Sequence, residues 1–224
     1  HENGFVEVNG KFYLIGGRGI SAVNIFDPVT RIWTSGAQPP VELHHFQAVA
    51  FQNKIYAICA FTGAYPSETP VDMVYIYDTE NNTWSNGPSI PVNRRRGSAG
   101  VTLYNNKFYI VCGIQNGHTN GWVPWLDEFD PVTGSWTELP DAPRARDHFH
   151  AGLINGKIYC AGGRLTSQPN FAANTIAEVD VYDITNQTWS TPSQIITPRG
   201  APAVAVVNNE LIVAGGEVDY QNSA

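Results

Sequence analysis

Six histidines and nine arginines carry most of the reactive side chains in this 224-residue sequence. His148 and His150 stand one residue apart in RDHFHAG, so on a strand their rings share a side. His44 and His45 are adjacent in LHHFQAV. Two or three imidazoles converging at ~2.1 Å on one point hold a transition metal, and singly they orient a ligand or carry a proton. The run NRRRG, residues 93–97, places Arg94 and Arg95 beside Arg96, and Arg144, Arg146 and Arg164 follow later. Guanidinium forks suit carboxylates, sulfates and phosphates through paired hydrogen bonds. The competing role is a solvated rim paired with Glu42, Asp141 and Asp147. Trp122 and Trp125, in IQNGHTNGWVPWL, offer indole faces that stack on sugar rings or prolines, or that pin their own loop.

Other chemistry finds less support. Glu42, Glu68, Asp72, Asp127, Asp141 and Asp147 form no carboxylate pair at diagnostic spacing. No G-x-S-x-G nucleophile elbow occurs, and the G-G doublets open no phosphate-binding helix. Three cysteines make no complete disulfide set and read as small buried apolar residues. The formal charge of −7 argues against nucleic acid and anionic membrane as partners, and no apolar run is long enough to span a bilayer. Few lysines beside abundant Asn, Thr, Gly and Trp give the composition of a secreted or periplasmic protein, without excluding a cytoplasmic one.

Something must position these groups, and it is repetitive. VNGKFYLIGG, FQNKIYAICA, YNNKFYIVCG, INGKIYCAGG and VNNELIVAGG begin at Val8, Phe51, Tyr104, Ile154 and Val207. Each is an apolar stretch, a two-residue turn of the positive-φ type, and a second apolar stretch, hence a hairpin. NIFDPVTRIW, YIYDTENNTW, DEFDPVTGSW and DVYDITNQTW follow, with Asp27, Asp78, Asp130 and Asp183 each six residues before Trp33, Trp84, Trp136 and Trp189. The aspartates cap their own turns, so each unit is four strands. The tryptophans recur every 51, 52 and 53 residues.

Small doublet, aromatic-Asp turn and tryptophan together resemble the kelch repeat across essentially the whole chain. The resemblance implies an all-β kelch-type β-propeller with four-stranded antiparallel blades around a central channel. Its single domain, 1–224, divides into blades at about 4–42, 43–95, 96–145 and 146–198, with half of a fifth over 199–224. Six blades need about 300 residues at roughly 50 each, so this chain is expected to be part of a six-bladed propeller. Cys59-Ala60 and Cys112-Gly113 replace the doublet seen as Gly16-Gly17, Gly162-Gly163 and Gly215-Gly216, read as small residues that still allow close packing.

Mapped on such a blade, the two faces differ. Lys11, Lys54, Lys107 and Lys157 follow the first turn, on the turn face. Eight of nine arginines and the histidines His1, His44, His45, His118, His148 and His150 fall on or beside the opposite, loop face. The segment from doublet to turn aspartate is 10 residues in the first blade but 18, 17 and 20 in the next three. Arg96, Arg146 and Arg199 hold equivalent positions and read as structural. The expected function is therefore a recognition module whose loop face engages an anionic or carbohydrate ligand or a protein partner. Its expected ligand-binding residues are His44, His45, Arg94, Arg95, Trp122, Trp125, Arg144, Arg146, His148, His150 and Arg164. A sugar-active propeller enzyme of mutarotase, lyase or oxidase type is the alternative, with a channel-mouth histidine and arginine at work. No cofactor is expected, and no metal: blades 2 and 4 are not neighbours, and a wide mouth would keep their histidines apart.

Overall fold

The computed structural model describes residues 2–219. Blade 1 is built from β1 (Asn3–Val8), β2 (Lys11–Gly16), β3 (Asn24–Asp27) and β4 (Ile32–Ser35). Blade 2 uses β5 (Val49–Phe51) and β6 (Lys54–Ala57), then a loop hairpin of β7 (Phe61–Thr62) and β8 (Thr69–Pro70), then β9 (Met73–Asp78) and β10 (Thr83–Ser89). Blade 3 repeats the plan with β11 (Gly100–Tyr104), β12 (Lys107–Val111), the loop hairpin β13 (Ile114–Asn116) and β14 (Asn120–Trp122), β15 (Leu126–Phe129) and β16 (Trp136–Leu139). Blade 4 contains β17 (Ala151–Ile154), β18 (Lys157–Cys160), β19 (Glu178–Asp183) and β20 (Thr188–Gln194), and β21 (Ala203–Val207) with β22 (Glu210–Ala214) forms a fifth hairpin. Each four-stranded sheet is antiparallel in simple chain order, and the innermost strands neighbour one another in the sequence β1, β5, β11, β17, β21. This is a propeller.

Local chemistry sets each hairpin. Asn9-Gly10, Asn105-Asn106, Asn155-Gly156 and Asn208-Asn209 hold both turn residues at positive φ, which matches the twist of the flanking strands. In the second hairpin Asp27 Oδ1 accepts the N–H groups of Val29 and Thr30 at 2.9 and 3.1 Å, and Asp130 does the same for Val132 and Thr133. The turn-face lysines lie against these turns, Lys157 3.3 Å from Asp183 and Lys11 3.6 Å from Asp27. Two of the repeat tryptophans tie blades together. Trp84 Nε1 donates to Ala37 O at 3.1 Å and Trp189 Nε1 to Pro140 O at 2.9 Å, each on the blade before its own.

The doublet has a reason other than size. Its first residue is left-handed at every copy: φ is 71° at Gly16, 56° at Cys59, 56° at Cys112, 73° at Gly162 and 65° at Gly215. Glycine adopts that backbone freely, whereas a cysteine there costs about 1–2 kcal/mol. Blades 2 and 3 thus carry strain where close packing alone was expected.

Candidate functional site

One backbone position per blade builds the channel mouth. Glu2, His45, Ser98, His148 and Ala201 are equivalent, with φ of 65°, 54°, 54°, 49° and 49°. Each donates its N–H to the carbonyl of the one before: His45 to Glu2 at 2.9 Å, Ser98 to His45 at 2.8 Å, His148 to Ser98 at 3.2 Å, Ala201 to His148 at 2.6 Å. This chain of bonds runs around the channel, and all five residues line a cavity of about 600 Å³. His45 and His148 precede their strands rather than lying in them, so the left-handed backbone orients them, not strand alternation.

His118 comes from the β13–β14 hairpin and completes a triangle of imidazoles. Ring centroids are 4.9 Å apart for His45 and His118, 4.9 Å for His45 and His148, and 4.7 Å for His118 and His148. All three rings are buried. A carboxylate stands behind each: Glu68 lies 3.0 Å from His118 Nδ1, Asp147 touches His148 Nδ1, and Glu2 Oε1 is 3.1 Å from His45 Nε2. Arg18 holds two of these carboxylates at once, reaching Glu2 and Glu68 at 2.5 Å each. Thr166 fixes Asp147 through its backbone N–H at 2.9 Å and its hydroxyl. His44 sits behind the triangle with its Nδ1 2.6 Å from that of His45.

Burial governs the protonation of this corner. It lowers His45 to about 4 against the pull of Glu2, lowers His148 well below the usual imidazole range, and brings His150 to about 4. The same burial pushes Asp147 up to about 6 despite its bonds to Thr166. Burial would also raise Glu2, but His45 and Arg18 outweigh it and hold that carboxyl at about 2. Aromatic walls from Phe5, Phe46, Tyr65, Phe149 and Phe171 enclose the cavity, whose rim carries Arg164 in an ion pair with Glu217.

Of the residues expected to bind a ligand, His45, His148, His150 and Arg164 line this cavity. The histidines of blades 2 and 4 meet, against the expectation that a wide mouth separates them. Gln47 shows why: it accepts the N–H groups of Val101 and Ala151 at 2.8 Å each, drawing the inner strands of blades 2, 3 and 4 together. The arginines of NRRRG depart from both expected roles. Arg94 and Arg96 are buried on Asp127 at 2.9 and 2.7 Å, and Arg144 and Arg146 grip Asp180 at 2.8 and 2.5 Å. Neither set forms a solvated rim on Glu42, Asp141 or Asp147. Arg96, Arg146 and Arg199 also donate to the carbonyls of Cys112, Gly162 and Gly215, the structural role read from their spacing. Arg95 donates to Ile90 O at 3.3 Å.

Trp125 packs beneath Arg94, 4.3 Å from the guanidinium carbon to the ring centre, and Trp122 Nε1 donates to Thr166 O at 2.7 Å. Both indoles hold their loop. Glu2, Arg18, Glu68, His118 and Thr166 complete the corner without having been singled out as ligand-binding residues. His1 lies outside the described residues.

Blade architecture, repeated Asp–Trp hairpins and a loop-lined channel together define a kelch-repeat β-propeller. The chain belongs to the Attractin/LZTR1 beta-propeller family, whose model matches residues 1–221. It is 30% identical to the Kelch-like protein terF of Aspergillus terreus over 207 residues, which are 88% of this chain and 43% of that protein. It is 26% identical to alpha-scruin of Limulus polyphemus, over 89% of this chain and 22% of that one. The chain therefore spans less than half the length of these curated relatives. The solved structure of YjhT superposes with a TM-score of 0.80 over 96% of this chain and 72% of its own, at 16% identity, a likeness of fold alone.

Proposed function

We propose that the protein is a recognition module whose loop face receives a segment of a protein partner in the channel-mouth cavity. The supporting observation is the cavity itself: about 600 Å³, walled by Phe5, Tyr65, Phe149 and Phe171 around convergent histidines and Arg164. Apolar walls with few placed polar groups are the usual make-up of a specific site. Glu217 already occupies Arg164, so an acidic side chain of the partner would enter by displacing it. The test is a thermal-shift panel of acidic peptides, neutral peptides, and neutral and acidic oligosaccharides on the full-length protein. A ligand at a hundredfold excess over Kd adds about 2.7 kcal/mol to folding stability. An acidic peptide should raise the melting temperature of the wild type and not of Phe171→Ala. A response confined to oligosaccharides replaces the protein partner with a glycan, and no response at all refutes the site.

The pairing of His148 Nδ1 with Asp147 favours a second reading, a sugar-active enzyme in which His148 moves a proton beside Arg164. Turnover of a uronic or sialic sugar that disappears in His148→Ala would establish it, and inactivity of the wild type would dismiss it.

A further inference from the structure

His118 and His148 meet head to head, their Nε2 atoms 3.1 Å apart. In the tautomers that donate each Nδ1–H to its carboxylate, both Nε2 atoms meet as lone pairs. His118 directs Nδ1 at Glu68, 3.0 Å away, and His148 directs Nδ1 at Asp147. A neutral imidazole whose Nδ1–H donates to a carboxylate keeps its lone pair on Nε2. Two buried lone pairs facing each other repel, and the arrangement is relieved by a cation between them. Nitrogen ligands bound at ~2.0–2.1 Å on a tetrahedral ion stand about 3.3 Å apart, close to the separation found here.

His45 supplies the third corner. Its Nδ1 is engaged with His44 at 2.6 Å and its Nε2 faces Glu2 Oε1 at 3.1 Å, so an ion bound at Nε2 takes the place of the proton shared with Glu2; one ring nitrogen from each of the three histidines lies within 4.8 Å of the others. The ring triangle is nearly equilateral, with centroid distances of 4.9, 4.9 and 4.7 Å. Carboxylates behind ligating imidazoles fix the tautomer and raise ligand basicity, and Glu68 and Asp147 occupy those places. All three histidines border the cavity, so one side of the triangle remains open to it.

We propose that His45, His118 and His148 bind one divalent first-row transition ion, zinc fitting best, with its fourth position open to the channel cavity. Imidazole donors select such ions over calcium or magnesium. Three histidines with an open position match a reactive zinc site rather than a closed structural one. The ion is read without any mouth ligand, so failure of the partner segment leaves this site untouched, and the reverse.

The full-length protein, stripped with chelator and dialysed, is titrated with Co²⁺ and then Zn²⁺ by visible absorption and calorimetry. The expected result is one ion per chain, the strong visible bands of four-coordinate cobalt, and their loss as zinc displaces it. His118→Ala should abolish the bands. Asp147→Asn and Glu68→Gln, with unchanged circular dichroism, should weaken binding about 10–100-fold. Lys157→Gln, on the turn face, should bind as wild type does. Absence of stoichiometric uptake by the wild type overturns the proposal, as does uptake that survives His118→Ala. The wild-type titration decides the matter even where a variant fails to fold.

Discussion

Cys59, Cys112 and Cys160 are free, buried and packed between blades. Burial pushes the Cys59 thiol up to about 11 and the Cys112 thiol up to about 12, so the reactive thiolate is scarce at neutral pH. Native protein should therefore resist a thiol reagent at pH 8 and react at all three sites only in denaturant. A fast native-state reaction at any one of them would show that the blade around it opens. Composition was enough to anticipate inert cysteines. It was not enough to anticipate the left-handed backbone at Cys59 and Cys112, because a cysteine in place of glycine reads as a small residue unless φ is known.

At the scale of the blade, the arginine clamps are the element that sequence spacing half revealed. The R-x-R pairs at 94 and 96 and at 144 and 146 stand at the entrances of the two blades that carry an aspartate three residues before the turn aspartate, Asp127 and Asp180. That coincidence was the available signal, and it went unread because the partners are more than thirty residues apart in the chain. Breaking such a buried pair costs about 3–5 kcal/mol, since it strands an unpaired charge. Asp127→Ala should lower urea stability by that amount, and Asp127→Ala with Arg94→Met should recover part of it. A loss below about 1 kcal/mol would place the pair among weak surface bridges instead.

The candidate site followed the same pattern. His45, His148 and Arg164 were legible, being reactive residue types at the entrance of inner strands. His118 was read onto the loop face, yet its convergence on them depends on the β13–β14 hairpin folding back over the mouth. Arg18 was mapped to the loop face but not to the site, and Glu2 was not singled out, because blade 1 supplies both from outside the long loops that drew attention.

Across the whole molecule, the first and last described blades carry exposed apolar residues. Phe5 of β1 is 57% exposed, and Val207 and Ile212 of β21 and β22 are 48% and 46% exposed. Trp33, whose counterparts Trp84 and Trp189 bond to the preceding blade, is 54% exposed. Exposed apolar side chains of this size favour association. We therefore expect residues 1–224, expressed alone, to bind a hydrophobic dye and elute as oligomers by size-exclusion with light scattering. Ile212→Lys with Val206→Lys should shift them towards monomer. Monomeric, dye-free behaviour of the unmodified chain would mean that these residues are satisfied some other way.

The staircase of left-handed residues around the mouth carries a last consequence. Its hydrogen bonds are made by backbone alone, so the scaffold is indifferent to what each step displays. Glutamate, histidine, serine, histidine and alanine already share one conformation there. Beside the loop residues, each blade thus writes one letter of the channel's chemistry, and Ser98 and Ala201 are its nearly blank characters. A substitution at any step would respell that short word while every strand, turn and clamp stays as it is.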